Sequence, residues 1–114
     1  MTREVGDFIC DIVEAMGNAL KFTAGMSFEE FSRDVKTVYA VIRAIEVIGE
    51  AAKHIPEDFR NRYPDIPWRS MAGMRDKVIH GYFGVKLERV WEVVQKDIPE
   101  LKPRFEAMLE EFSE

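Results

Sequence analysis

Residues 34–55 read DVKTVYAVIRAIEVIGEAAKHI. Val35, Val38, Tyr39, Ile42, Ile45, Val47, Ile48, Ala51, Ala52 and Ile55 follow one another at helical spacing and form a broad apolar face. The run predicts one long helix. Pro56 closes it, because proline cannot continue the hydrogen-bond ladder and restricts the residue before it. Gly49, inside the helix, is expected to let a neighbouring helix approach closely.

The flanking segments share the period. Val5, Phe8, Ile9, Ile12, Val13, Met16, Ala19 and Leu20 predict a first helix, and Gly25 suits its stop. Ser27-Phe28-Glu29-Glu30 reads as a capping box that opens a short helix from Phe28 to about Arg33. After Pro56 comes a connector in which Phe59 and Tyr63 predict one short turn. Pro67 then suits the first position of a helix whose face is Trp68, Met71, Ala72, Arg75, Val78 and Ile79, expected to fray near Gly81 or Gly84. Residues 86–96 are again periodic. Asp97-Ile98-Pro99-Glu100 predicts a restart or kink, and Pro103 predicts that the last helix is bent or begins late. No segment alternates like a strand. The expected fold is all-α: an antiparallel up-and-down bundle of four to five helices, one domain over residues 1–114.

Composition narrows the function. A single cysteine excludes an internal disulfide and fits a reducing compartment. No run approaches a membrane span, and residues 1–7 lack a secretion-signal pattern, so a cytoplasmic protein is expected. Cys10 and His54 read as structural, the first as a small core residue and the second as a cation in the last turn of a helix. Two histidines and one cysteine, far apart, do not suggest a zinc site. No phosphate loop, nucleophile elbow or calcium loop is present, and no metal or cofactor is expected. The net charge is −5, yet residues 60–89 carry seven bases against three acids while the rest carries nine against eighteen. A cationic third on an acidic chain can hold a phosphate.

That third contains the densest set of reactive side chains: Arg75, Asp76, Lys77, His80 and Tyr82. One reading is a plain helix surface on which Asp76 and His80, four apart, pair. The other is chemical. Arginine presents a fork of donors that fits phosphate oxygens, and histidine moves protons near neutrality. Together they suffice for metal-free RNA cleavage: the imidazole takes the 2′-hydroxyl proton or protonates the leaving oxygen, and the guanidinium stabilises the phosphorane. On a regular helix Arg75 and His80 stand about 140° apart. Either the helix ends near Gly81 and turns His80 inward, or a second copy of the chain completes the site; the dimer is favoured.

Arg75, four residues, His80, one residue, Tyr82 resembles the signature of HepT-like proteins, a branch of the HEPN superfamily. The similarity continues through 22–31, 43–53, 63–68, 72–76, 83–85 and Val90-Trp91, in order along nearly the whole chain. The resemblance implies a dimeric HEPN-type bundle with paired motifs lining a cleft. It implies a ribonuclease toxin of a type VII toxin–antitoxin pair, with RNA as substrate and a minimal nucleotidyltransferase as antitoxin partner. It assigns Arg75 and His80 as the catalytic pair and Tyr82 as the residue to which the antitoxin attaches AMP. Asp76 stands where the superfamily often has asparagine, and is expected to tune the site. Pro103 also departs from the family pattern. The competing reading of the same basic cleft is a non-catalytic nucleotide- or substrate-binding subunit of a two-component nucleotidyltransferase.

Overall fold

The computed structural model describes the backbone of residues 3–79 and 86–112, and side chains for 3–74 and 86–112. Helices follow in order: α1 (Val5–Phe22), α2 (Phe28–Arg33), α3 (Val35–Lys53), α4 (Glu57–Arg60), α5 (Trp68–Ile79), α6 (Leu87–Glu92) and α7 (Ile98–Glu110). A π-helical turn, Val93–Asp97, joins α6 to α7, so the two form one rod. No strand occurs among the described residues, and the all-α bundle expected from the sequence is what forms.

Local chemistry sets most boundaries. At α1 the Glu4 amide donates to Asp7 Oδ2 at 2.9 Å. Gly25 supplies the turn after α1 with φ +77°, a left-handed conformation that costs glycine little. At α2 the Glu30 amide donates to Ser27 Oγ at 3.1 Å and the Ser27 amide to Glu30 Oε1 at 3.0 Å, the reciprocal box read from the sequence. Asp34 precedes α3 and caps it, accepting from the Thr37 amide at 3.1 Å.

Side-chain contacts give the direction of each helix. Phe8, near the start of α1, stacks on His54 at the end of α3, with ring centroids 4.9 Å apart. A Cβ added at Gly6 would lie 3.1 Å from Phe112, just beyond α7, so α1 also runs against α7. Tyr63, Arg62 and Phe59 reach Glu111 and Phe112 at this same end. The opposite end holds the close of α1, all of α2, the start of α3 and the start of α6, where Trp91 meets Phe31 at 5.1 Å and Phe28 at 6.2 Å. Helix α3 packs against α1, α2 and α5, and its buried face includes Val41, Ala44, Ile45, Ile48 and Gly49.

Several expectations are corrected. Cys10 is exposed, not core, because Ile9 and Ile12 take the inward positions of α1. Val35 and Tyr39 are 65% and 70% exposed, so the first turns of α3 leave part of the apolar face uncovered. Helix α7 does not begin late: it starts at Ile98 and runs through Pro99 and Pro103. In the π turn the Ile98 amide reaches back five residues to the Val93 carbonyl. That wider turn makes room where the Pro99 ring would otherwise meet the carbonyl of Gln95. Both prolines are exposed, on the side where water replaces the bonds they remove. His54 sits at the C-cap of α3 as expected, 3.5 Å from Glu50 Oε1.

The connector between α3 and α5 is clasped at both ends. Arg60 Nε donates to the Ile55 carbonyl at 2.8 Å, and Nη2 to the Ala52 carbonyl at 3.4 Å, closing the end of α3. Arg62 pairs with Glu111 at 2.8 Å, and the Tyr63 hydroxyl donates to the same carboxylate. Arg104 holds Asp65 with two bonds, at 2.6 and 3.1 Å. The Tyr63 hydroxyl, with Arg62 behind it, keeps the Glu111 carboxyl below the usual range, and the same bond raises the Tyr63 phenol. Arg104 likewise lowers Asp65.

Two outcomes are expected. Phe31→Ala, which empties a fully buried site against Trp91, should cost about 3–5 kcal/mol in urea unfolding, whereas Ser27→Ala should cost about 1 kcal/mol. The depressed carboxylates contribute stability above the unfolded range near 4, and lose it as pH falls through their lower folded values. Thermal melts of Glu111→Gln against wild type should therefore differ most near neutral pH and converge in acid. A gap that persists at about pH 2 would rule the carboxylate out as the source.

Candidate functional site

Helix α5 carries the start of the reactive stretch, and its beginning is held firmly. The Pro67 carbonyl accepts the Met71 amide at 2.9 Å, so Pro67 precedes the helix by one position instead of opening it. The Trp68 indole N–H donates to the Tyr63 carbonyl at 3.0 Å, and its ring meets Phe105 edge-on at 5.5 Å. From this anchor α5 runs along α3 towards the opposite end of the bundle. Position 75 follows Met71 by four and Trp68 by seven. Both of those are buried, and residue 75 shares their register on the helix, as one row of positions. Asp76 is the next helical position, about 100° further round and off that row. His80 and Tyr82 lie outside the described residues, as do Gly81 and Gly84.

Beside this row lies a cleft that sequence reading missed. It occupies about 490 Å³ between the first half of α5 and the rod. Met71, Met74, Val93 and Leu101 give it apolar walls, and Ser70 stands at an exposed edge. Charged side chains border it. Asp65 and Arg104 neutralise one another, and Arg89 pairs with Glu92 at 3.0 Å. Asp97, half-buried, and Glu100, exposed, have no hydrogen-bond or ion-pair partner among the described residues. Residues 89, 93, 97, 100, 101 and 104 recur at steps of one to four, so one face of the rod supplies its whole side of the cleft. That recurrence was legible; what concealed it was reading Asp97–Glu100 as a restart or kink, which interrupts the register.

None of the described helices is long and apolar enough to cross a membrane. A family profile described as "Ribonuclease HepT-like" matches residues 12–108. A Thermococcus cleftensis protein named "Probable ribonuclease HepT" is 52% identical over 108 residues, covering 95% of this chain and 98% of that protein. Two Methanocaldococcus jannaschii proteins, each named "Putative RNase", are 48% and 47% identical over 96% and 98% of this chain, and over 90% and 97% of their own lengths. No solved structure matches the chain. With a bundle of this architecture, and with sequence similarity from its first helix through its last, the chain belongs to the ribonuclease HepT-like family.

Proposed function

We propose that the chain is a metal-independent endoribonuclease toxin in which Arg75 and His80 cleave RNA. The observation that carries this reading is the family match across residues 12–108, a span in which Arg75, His80 and Tyr82 stand. In the proposed reaction the His80 imidazole takes the proton of a ribose 2′-hydroxyl, whose oxygen attacks the adjacent phosphorus. The bond to the leaving oxygen then breaks, and an imidazolium returns the proton to it. The Arg75 guanidinium neutralises the charge that builds on the phosphorane oxygens. Asp76, beside Arg75, tunes the field at the phosphate. The cationic balance of residues 60–89 favours an RNA backbone there.

The active form is a homodimer in this reading. Four large hydrophobic residues are exposed among the described ones. Three of them, Phe22, Val35 and Tyr39, lie at the end of the bundle towards which α5 runs, and a second copy docked there would cover them. A nucleotidyltransferase antitoxin switches the enzyme off. The Tyr82 phenolic oxygen attacks the α-phosphate of ATP, pyrophosphate leaves, and AMP remains on the tyrosine. Its bulk and negative charge then exclude an RNA phosphate from His80, two residues away.

Arg75→Ala and His80→Ala should each abolish growth arrest and reduce RNA cleavage by about 10²–10⁴-fold. Two variants as toxic as wild type would remove the pair from the chemistry. Intact mass after co-expression with the antitoxin should show added AMP on wild type and none on Tyr82→Phe. An unmodified wild-type chain beside an active antitoxin counts against the switch.

A further inference from the structure

The cleft between α5 and the rod has no role in the cleavage chemistry, yet it ends where that chemistry is proposed to begin. Met74, on its wall, is followed directly by Arg75, and the turn of α5 from Ser70 to Met74 rises only about 6 Å. Its volume of about 490 Å³ is of the size that holds a small organic ligand. The thioethers of Met71 and Met74 are soft, adaptable surfaces that pack well against a flat ring. The ion pairs at its borders leave three polar side chains of its lining, the Ser70 hydroxyl and the carboxylates of Asp97 and Glu100, with no hydrogen-bond or ion-pair partner among the described residues. The two carboxylates are acceptors only, and they suit a ligand that is apolar on its faces and carries N–H donors on one edge. A π turn supplies two of the lining residues, Val93 and Asp97, and such turns are frequent at functional sites.

Resting on the ribonuclease reading, we infer that this cleft receives one unpaired base of the RNA, and that Asp97 and Glu100 select a base bearing an exocyclic amino group. RNA is read in sequence mainly through splayed single-stranded bases, which bury their faces and offer their edges. Adenine presents N6–H₂, cytosine N4–H₂ and guanine N1–H with N2–H₂ to an acceptor, while uracil presents the O4 carbonyl in place of an amino group and flanks its one N3–H with two carbonyls that a carboxylate disfavours. The phosphate stays outside, towards Arg75, so the net negative balance of Asp97 and Glu100 meets a neutral base and not the backbone. The cleft thereby sets which nucleotide stands beside the cleaved bond.

The test reads binding separately from cutting. Short 2′-O-methyl oligonucleotides of adenine, cytosine or uracil lack the attacking hydroxyl and cannot be cleaved through it. Fluorescence anisotropy with the full chain should show adenine and cytosine oligomers bound about tenfold more tightly than uracil. Asp97→Ala with Glu100→Ala should bring the three within about twofold of one another. Ser70→Trp, a change at an exposed edge that leaves the core intact, should bring adenine and cytosine down to the uracil level; circular dichroism confirms that each variant is folded. Equal binding of all three oligomers by wild type overturns the proposal, as does a Ser70→Trp variant that discriminates like wild type. If that variant binds RNA normally but loses a protein partner, the cleft belongs to a basic side chain of that partner, and the proposal is again overturned. Arg75-dependent cleavage of ordinary RNA without base discrimination defeats this inference alone. Absence of both cleavage and RNA binding defeats the ribonuclease reading with it.

Discussion

Helix α3 is packed by α1, α2 and α5, and the burial of its apolar face organises the other elements. Alanines 44, 51 and 52 and Gly49 keep that face low, so neighbouring backbones come close, while Ile45 and Ile48 fill the space between them. α1 covers one flank and is itself backed by α7. α5 covers another, and this is the helix that carries Arg75. The position of the proposed catalytic arginine is therefore a by-product of core packing: residue 75 continues the row of Trp68 and Met71, whose burial against the bundle fixes the rotation of α5.

A second constraint fixes how far along the bundle α5 begins. Arg60 closes α3, Arg62 and Tyr63 tie the connector to Glu111, and Arg104 grips Asp65, two residues before Pro67. These contacts are largely solvent-exposed, and each ion pair alone adds little stability. Their effect is positional. They lock the start of α5 to α7 at one end of the molecule, and so set how far along the bundle its second half, with residues 75 and 76, lies.

Most of the fold was legible because periodicity and capping act locally. The Ser27–Glu30 box delivered α2 at Phe28–Arg33, and Pro56 bounded the long helix to within two residues of Lys53. The errors arose where tertiary context decides. Cys10 lies beside inward-facing Ile9 on α1, and only the packing partner reveals which residue turns in. Tyr39 and Val35 have the right period for the core, but among the described residues nothing covers them. Pro99 and Pro103 carry a strong local signal for a break, and a π turn absorbed it. The reactive stretch was legible as chemistry: Arg75 and Asp76 stand on one helix in the structure, while the relation of His80 and Tyr82 to them rests on the sequence motif.

The continuous rod has a functional consequence that two separate helices would lack. A break at Asp97 would let the segments before and after it rotate independently, and residues 89 and 93 would lose register with 100, 101 and 104. Held as one rod, these positions form a single wall facing Ser70, Met71 and Met74. The same insertion that tolerates Pro99 therefore preserves a cleft one residue from Arg75. In the proposed chemistry the arginine engages a phosphate and the histidine a ribose hydroxyl, groups common to every nucleotide, so base selectivity comes from surfaces beside them. This wall, with its apolar floor and two carboxylates that have no partner among the described residues, has the chemistry to provide it.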